Sequence, residues 1–118
     1  MKNKANDRNP ALVLASESSA RRSILAGLKL VFDVIAPDFE ERVHPSASPT
    51  EIALINAEGK ARAVDAGFSS DCRPAAIVIG SDQVCCTESG LILHKPGSVD
   101  RAIDQLMQAS SQRLTFYS

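Results

Sequence analysis

Asp82 stands at the end of an apolar run, "IVIGSDQV" over residues 77–84. In open α/β sheets ligands bind beyond the carboxyl ends of strands. A carboxylate placed there can take a proton from a water or hold a divalent cation. The plainer reading is an Asx turn that ends the strand. A second run, "ALVLAS" over residues 11–16, feeds the serine-rich turn "ESSARR". A strand that leads into a helix start presents free backbone N–H groups and the positive end of the helix dipole, which together favour an anion. Ser16 and Ser18 add hydroxyl donors, and Arg21 and Arg22 add charge and a bidentate fork. Arginines in a first turn oppose the dipole, which is a cost unless an anion is bound. The alternative is an ordinary capped helix with solvated arginines.

Three further groups carry weaker signals. Glu40 and Glu41 are paired acids in a Pro/Ser-rich loop, able to bind a divalent cation or simply to be solvated. Lys60 lies on a helix, where a lysine faces solvent by default; its neighbour Gly59 permits a close approach. Lys95 precedes Pro96 and Gly97, so its backbone is held extended. It is either a positioned phosphate contact or an exposed turn lysine. His44 and His94 lack partners at ligand spacing, and the three cysteines, Cys72, Cys85 and Cys86, form no zinc or disulfide pattern.

The elements that must position these groups are legible as β-α-β-α-β-β-β-α-β. Residues 11–16 and the run "AAIVIG" read as strands buried on both faces. Ile24, Leu25 and Leu28 share a helical face after the serine turn, and "LVFDVIAP" returns to strand character. "SPTE" is a helix start: Ser48 caps, Pro49 takes the first helical position and Glu51 closes a capping box, with Gly67 as the stop after Ala66. "QVCC" and "LILH" flank the hairpin turn "TESG". Val99, Ala102, Ile103, Leu106 and Met107 share one face of the third helix, and "RLTFYS" begins a last strand. The order predicts an α/β fold with a mixed sheet.

Bulk properties bound the rest. The 118 residues suffice for one domain and are 44% hydrophobic and 23% charged, which excludes global disorder. A net charge of −1 carries no footprint for a nucleic acid polymer or a membrane surface. Residues 1–10 read as a flexible tail without a signal-peptide core. No apolar run approaches the ~20 residues of a membrane helix. The cysteine usage fits a reducing, cytoplasmic setting.

Taken in order, "LASESSARR", the "EE" pair, "GKA", "IGSDQV" and "KPG" resemble the Maf family of nucleoside triphosphate pyrophosphatases. "GSDQVC" and "QASSQRLTFYS" narrow the likeness to its YceF-like branch, associated with 7-methyl-GTP. The resemblance covers residues 12–118 and implies a Maf/inosine-triphosphatase-like fold: an elongated mixed sheet flanked by helices, with a cleft between two lobes. Residues 11–118 are then the N-terminal portion of a single Maf-like domain whose C-terminal part is missing. The implied reaction hydrolyses the α–β phosphoanhydride with Mg²⁺ or Mn²⁺, giving a nucleoside monophosphate and pyrophosphate. The resemblance assigns the general base to Asp82, phosphate binding to Ser16, Arg21, Arg22, Lys60 and Lys95, and metal binding to Glu41 with Asp82. It assigns base choice to Gln83 and Ala20.

Four departures stand out. Ser19 replaces a family proline, and Ala20 replaces a large residue. His94 replaces a glycine, and Ser110-Ser111 stand where the family has Ser-Gly. Ala20 leaves open a different base preference (dTTP or UTP), and the missing C-terminal part leaves open a non-catalytic remnant that binds nucleotide weakly or acts as an interaction fragment. Strand edges and apolar surface exposed by the missing part imply self-association, through these edges or as a homodimer, or low stability.

Overall fold

The computed structural model describes residues 10–42, 44–67 and 76–118. Its elements are β1 (Ala11–Ala15), α1 (Ser19–Ala26), β2 (Asp33–Ile35), α2 (Pro49–Ala66), β3 (Ala76–Gly80), β4 (Val84–Thr87), β5 (Ile92–Leu93), α3 (Val99–Ala109) and β6 (Leu114–Tyr117). The order is the one expected, because each boundary rests on a local signal. All three helices start on a serine. Ser18 and Ser98 accept the N–H groups of Arg21 and Arg101, each at 3.2 Å. At α2 the box is reciprocal: Ser48 N–H donates to Glu51 Oε2 at 3.1 Å, and Glu51 N–H donates to Ser48 Oγ at 3.2 Å. The hairpin closes with the Gly90 N–H donating to the Thr87 carbonyl at 3.0 Å, Gly90 taking φ 90°. The expected N-terminal tail, apart from Pro10, and Cys72 lie outside the described residues.

The described chain divides into two compact units. The first takes the residues up to Glu40 together with Ala57–Ser81. Its sheet is parallel, in the order β2-β1-β3, with Ala15 opposite Gly80 and Val13 opposite Asp33. Val13, Ala15 and Val64 form its core, with Ile35 and Val78 packed against them. β2 is short because it pairs only with the Val13–Ala15 stretch of β1. The second unit takes Glu41–Asn56 and Asp82–Ser118. Its sheet is antiparallel, in the order β5-β4-β6, over a core of Ile52, Ala53 and Val84 with Ala47 and Ile92. The mixture of parallel and antiparallel pairing is therefore distributed between two three-stranded sheets.

Burial departs from expectation on three elements. β1 is buried as read, but Ile77 of β3 is 53% exposed. Ile24 on α1, Leu28 just after that helix, and Val99, Ile103, Leu106 and Met107 on α3 are also exposed. A helical period specifies which side of a helix is apolar, not whether another element covers it. Leu25 and Ala102 on these faces are half-buried, while their larger neighbours are exposed.

Ser111, just after α3, takes φ 60°. This left-handed conformation brings Cβ close to the following carbonyl, and a glycine relieves that contact. Ser111→Gly should raise the free energy of unfolding by about 0.5–1 kcal/mol, measured by urea denaturation. An unchanged midpoint would mean that the serine pays no such penalty.

Candidate functional site

Within the first unit, the carboxyl edge of the parallel sheet gathers the anion-adapted groups. Ser16 and Ser81 each follow a paired strand end, Ala15 and Gly80. Ser16 is buried, and its hydroxyl accepts the Ser18 N–H at 3.0 Å, which fixes the turn into α1. Ser18 Oγ in turn caps α1. Both hydroxyls keep their own O–H to donate. The first turn of α1 contains no acid. Arg21 is half-buried and Arg22 exposed, so no side chain on α1 offsets the arginines' opposition to the dipole. Ala20 is exposed beside them. A pocket of about 550 Å³ opens here, lined by Ser16, Glu17, Ser18, Arg22, Phe32 and Asp33, among others.

Lys60 overturns the default for a helical lysine: it is 7% exposed. Its ammonium donates to the Ser81 carbonyl at 3.5 Å, so it belongs to the same sheet edge as Ser16. A buried cation is costly unless its charge is satisfied, so its burial is a feature of the fold and not of a solvated helix face. Two glycines make this packing feasible. A Cβ on Gly80 would collide with the Ala57 carbonyl of α2, and one on Gly59 with the ring of Phe39. The close approach inferred at Gly59 is thus present, with Phe39 as the neighbour.

The second unit holds the acid. Asp82 is 7% exposed, and its Oδ2 accepts from Asn56 Nδ2 at 3.3 Å. Asn56 Oδ1 accepts the Arg42 N–H at 3.1 Å. The acidic loop is therefore tied, through the backbone next to Glu41, to the side chain that holds Asp82. Glu41 itself is exposed. Gln83 is exposed, and its amide donates to Ser118 Oγ at 3.3 Å. Lys95 is exposed between β5 and α3, beside Gly97 at φ 73°.

Asn56 was missed by sequence reasoning. A signal existed: Ile52, Asn56, Lys60 and Val64 follow at intervals of four along α2, and all are buried. A polar residue in phase with an apolar stripe marks a buried polar group.

As for a cation, the described residues contain no cluster of three or more His, Cys, Asp or Glu able to hold a metal. Asp82 and Glu41 belong to the same unit. Mg²⁺ commonly uses one or two carboxylates and takes its other ligands from substrate phosphates and water. Among the described residues no helix is long and apolar enough to cross a membrane.

Comparison with known proteins adds relatives to this geometry. The family described as Maf-like protein matches residues 11–118. The chain is 43% identical over 111 residues to a 7-methyl-GTP pyrophosphatase of Burkholderia lata, covering 94% of this chain and 51% of that protein. Proteins of the same name from Idiomarina loihiensis and Nitrosococcus oceani are 43% and 44% identical, over 91% and 92% of this chain and 52% of each relative. The chain thus spans about half the length of the curated relatives it matches.

Proposed function

This chain belongs to the Maf family, and from that premise we propose that it serves in hydrolysis of the α–β phosphoanhydride of a nucleoside triphosphate, 7-methyl-GTP being the preferred substrate. The observation that carries the reading is the sheet edge at Ser16 and Ser81. The capped start of α1, which carries Arg21 and Arg22 in its first turn, follows Ser16, and the buried Lys60 donates to the Ser81 carbonyl; groups of this kind suit several phosphate charges at once. The name shared by the relatives supports the 7-methylguanine base.

In this reading Ser16, the α1 N-terminus, Arg21, Arg22 and Lys60 hold the phosphates, and Lys95 adds a contact from its extended turn. Their positive charge stabilises the charge that builds on phosphate oxygens as the anhydride breaks. The Asp82 carboxylate accepts a proton from a water. The water oxygen forms the new P–O bond, the α–β P–O bond breaks, and the bridging oxygen leaves with pyrophosphate. Asp82 and Glu41 would also hold a divalent cation, which supplies charge neutralisation to the phosphates. Gln83 and Ala20 are the positions assigned to base choice.

The test is pyrophosphate release from 7-methyl-GTP, GTP, dTTP and UTP with Mg²⁺ or Mn²⁺. We expect the highest kcat/KM for 7-methyl-GTP and loss of turnover with EDTA, restored by added cation. A preference for dTTP or UTP would reassign the base. Nucleotide-dependent thermal stabilisation without turnover of any of the four would establish binding without catalysis.

A further inference from the structure

We propose that Asn56 is a positioning residue for Asp82, setting the direction of its carboxylate. The proposal rests on the reading of Asp82 as the base. The orientation of the Asn56 amide follows from the chemistry of its neighbours. The Arg42 backbone N–H can only donate, so the atom 3.1 Å away must be the amide oxygen. The nitrogen is then the atom that faces Asp82, at 3.3 Å from Oδ2, and an ionised carboxylate can only accept. The amide is thus locked at one end by the main chain and aims a donor at the acid with the other.

The surroundings make this lock stiff. Asn56 is 3% exposed and Asp82 7%. Asn56 sits on α2 one turn after Ile52 and Ala53, both core residues of the same unit. Its backbone is therefore held by helix and core. A carboxylate that accepts a fixed donor on one oxygen is held in one orientation, which sets the direction along which it can take a proton. Glu41 gains from the same device, since the hydrogen bond at Arg42 fixes the backbone beside it.

Asn56→Leu removes both bonds, whereas Asn56→Asp is isosteric, keeps the oxygen used by Arg42 and sets a second carboxylate against Asp82 in place of the donor. We expect both to lower kcat for 7-methyl-GTP hydrolysis by about 10–100-fold with KM within about two-fold, as a misaimed reacting group does. Circular dichroism confirms that each variant is folded. Hydrogen exchange of the Asn56 side-chain amide, followed by NMR, reads the contact without turnover. One Nδ2 proton should exchange at least about ten-fold more slowly than in a free peptide, and lose that protection in Asp82→Ala. Wild-type kcat in Asn56→Asp, a proportional change of kcat and KM in both variants, or free-peptide exchange in the wild type would each overturn the proposal. A wild-type chain without turnover, or an Asp82→Ala chain as active as the wild type, would instead sink the reading of Asp82 as base. The exchange rate would then decide the Asn56–Asp82 contact by itself.

Discussion

Asp82→Asn is expected to reduce pyrophosphate release by about 10²–10⁴-fold, the range that a positioned general base contributes. The substitution is chosen for what it preserves. Asparagine has nearly the shape of aspartate, and its carbonyl oxygen can still accept from Asn56 Nδ2, the bond now made at 3.3 Å. The polar network that ties Asn56 to the Arg42 backbone at 3.1 Å therefore has no reason to break. A neutral amide cannot take a proton from water, so the loss falls on kcat. Steady-state kinetics with a fixed excess of cation measures it, and the unfolding midpoint checks that the fold is intact. Asp82→Ala, which also deletes the acceptor, should lose as much activity and some stability, because Asn56 is then left with a buried donor. Turnover of Asp82→Asn within a few-fold of the wild type would remove the base from this residue. Recovery of the rate at high Mn²⁺ would assign Asp82 to the cation instead.

Gly80→Ala is expected to cost about 3 kcal/mol of stability and to lower the thermal midpoint by roughly 10–20 °C. The added Cβ would run into the Ala57 carbonyl and would lie 3.0 Å from both the amide nitrogen and the Cβ of Ala61. Two of these neighbours are backbone atoms inside α2, so no side-chain rotation relieves the contact; the helix must move from the strand or the strand must bend. Gly80 also pairs with Ala15 at the sheet edge, and the next residue supplies the carbonyl that receives Lys60. Displacement there should weaken nucleotide binding in whatever fraction still folds. Differential scanning calorimetry and nucleotide titration measure the two effects. A midpoint within about 2 °C of the wild type would show that α2 gives way more easily than its backbone contact suggests.

The element order of this chain was written in local chemistry. The serine caps, the reciprocal Ser48–Glu51 box, the glycine stops and the hairpin turn each act within three or four residues of chain, and a sequence displays that range directly. The family was equally legible, because its motifs stand in order along the chain. Three things were not. The division of strands into a parallel and an antiparallel sheet depends on which distant strand each one meets, and β4 is the centre of the second sheet only because β5 and β6 both return to it. The apolar faces of α1 and α3 were correctly placed on their helices, yet Ile24 and Leu106 stand in water. Periodicity describes a face and says nothing of a cover. The partners of Asn56 and Lys60 were hidden for the opposite reason. A polar residue on a helix faces solvent unless packing brings it partners, and those partners, the Arg42 amide, Asp82 and the Ser81 carbonyl, lie 14, 26 and 21 residues away in the chain. Burial of a polar group is tolerable only when its hydrogen bonds are met, and contacts across that separation are made by the tertiary fold alone.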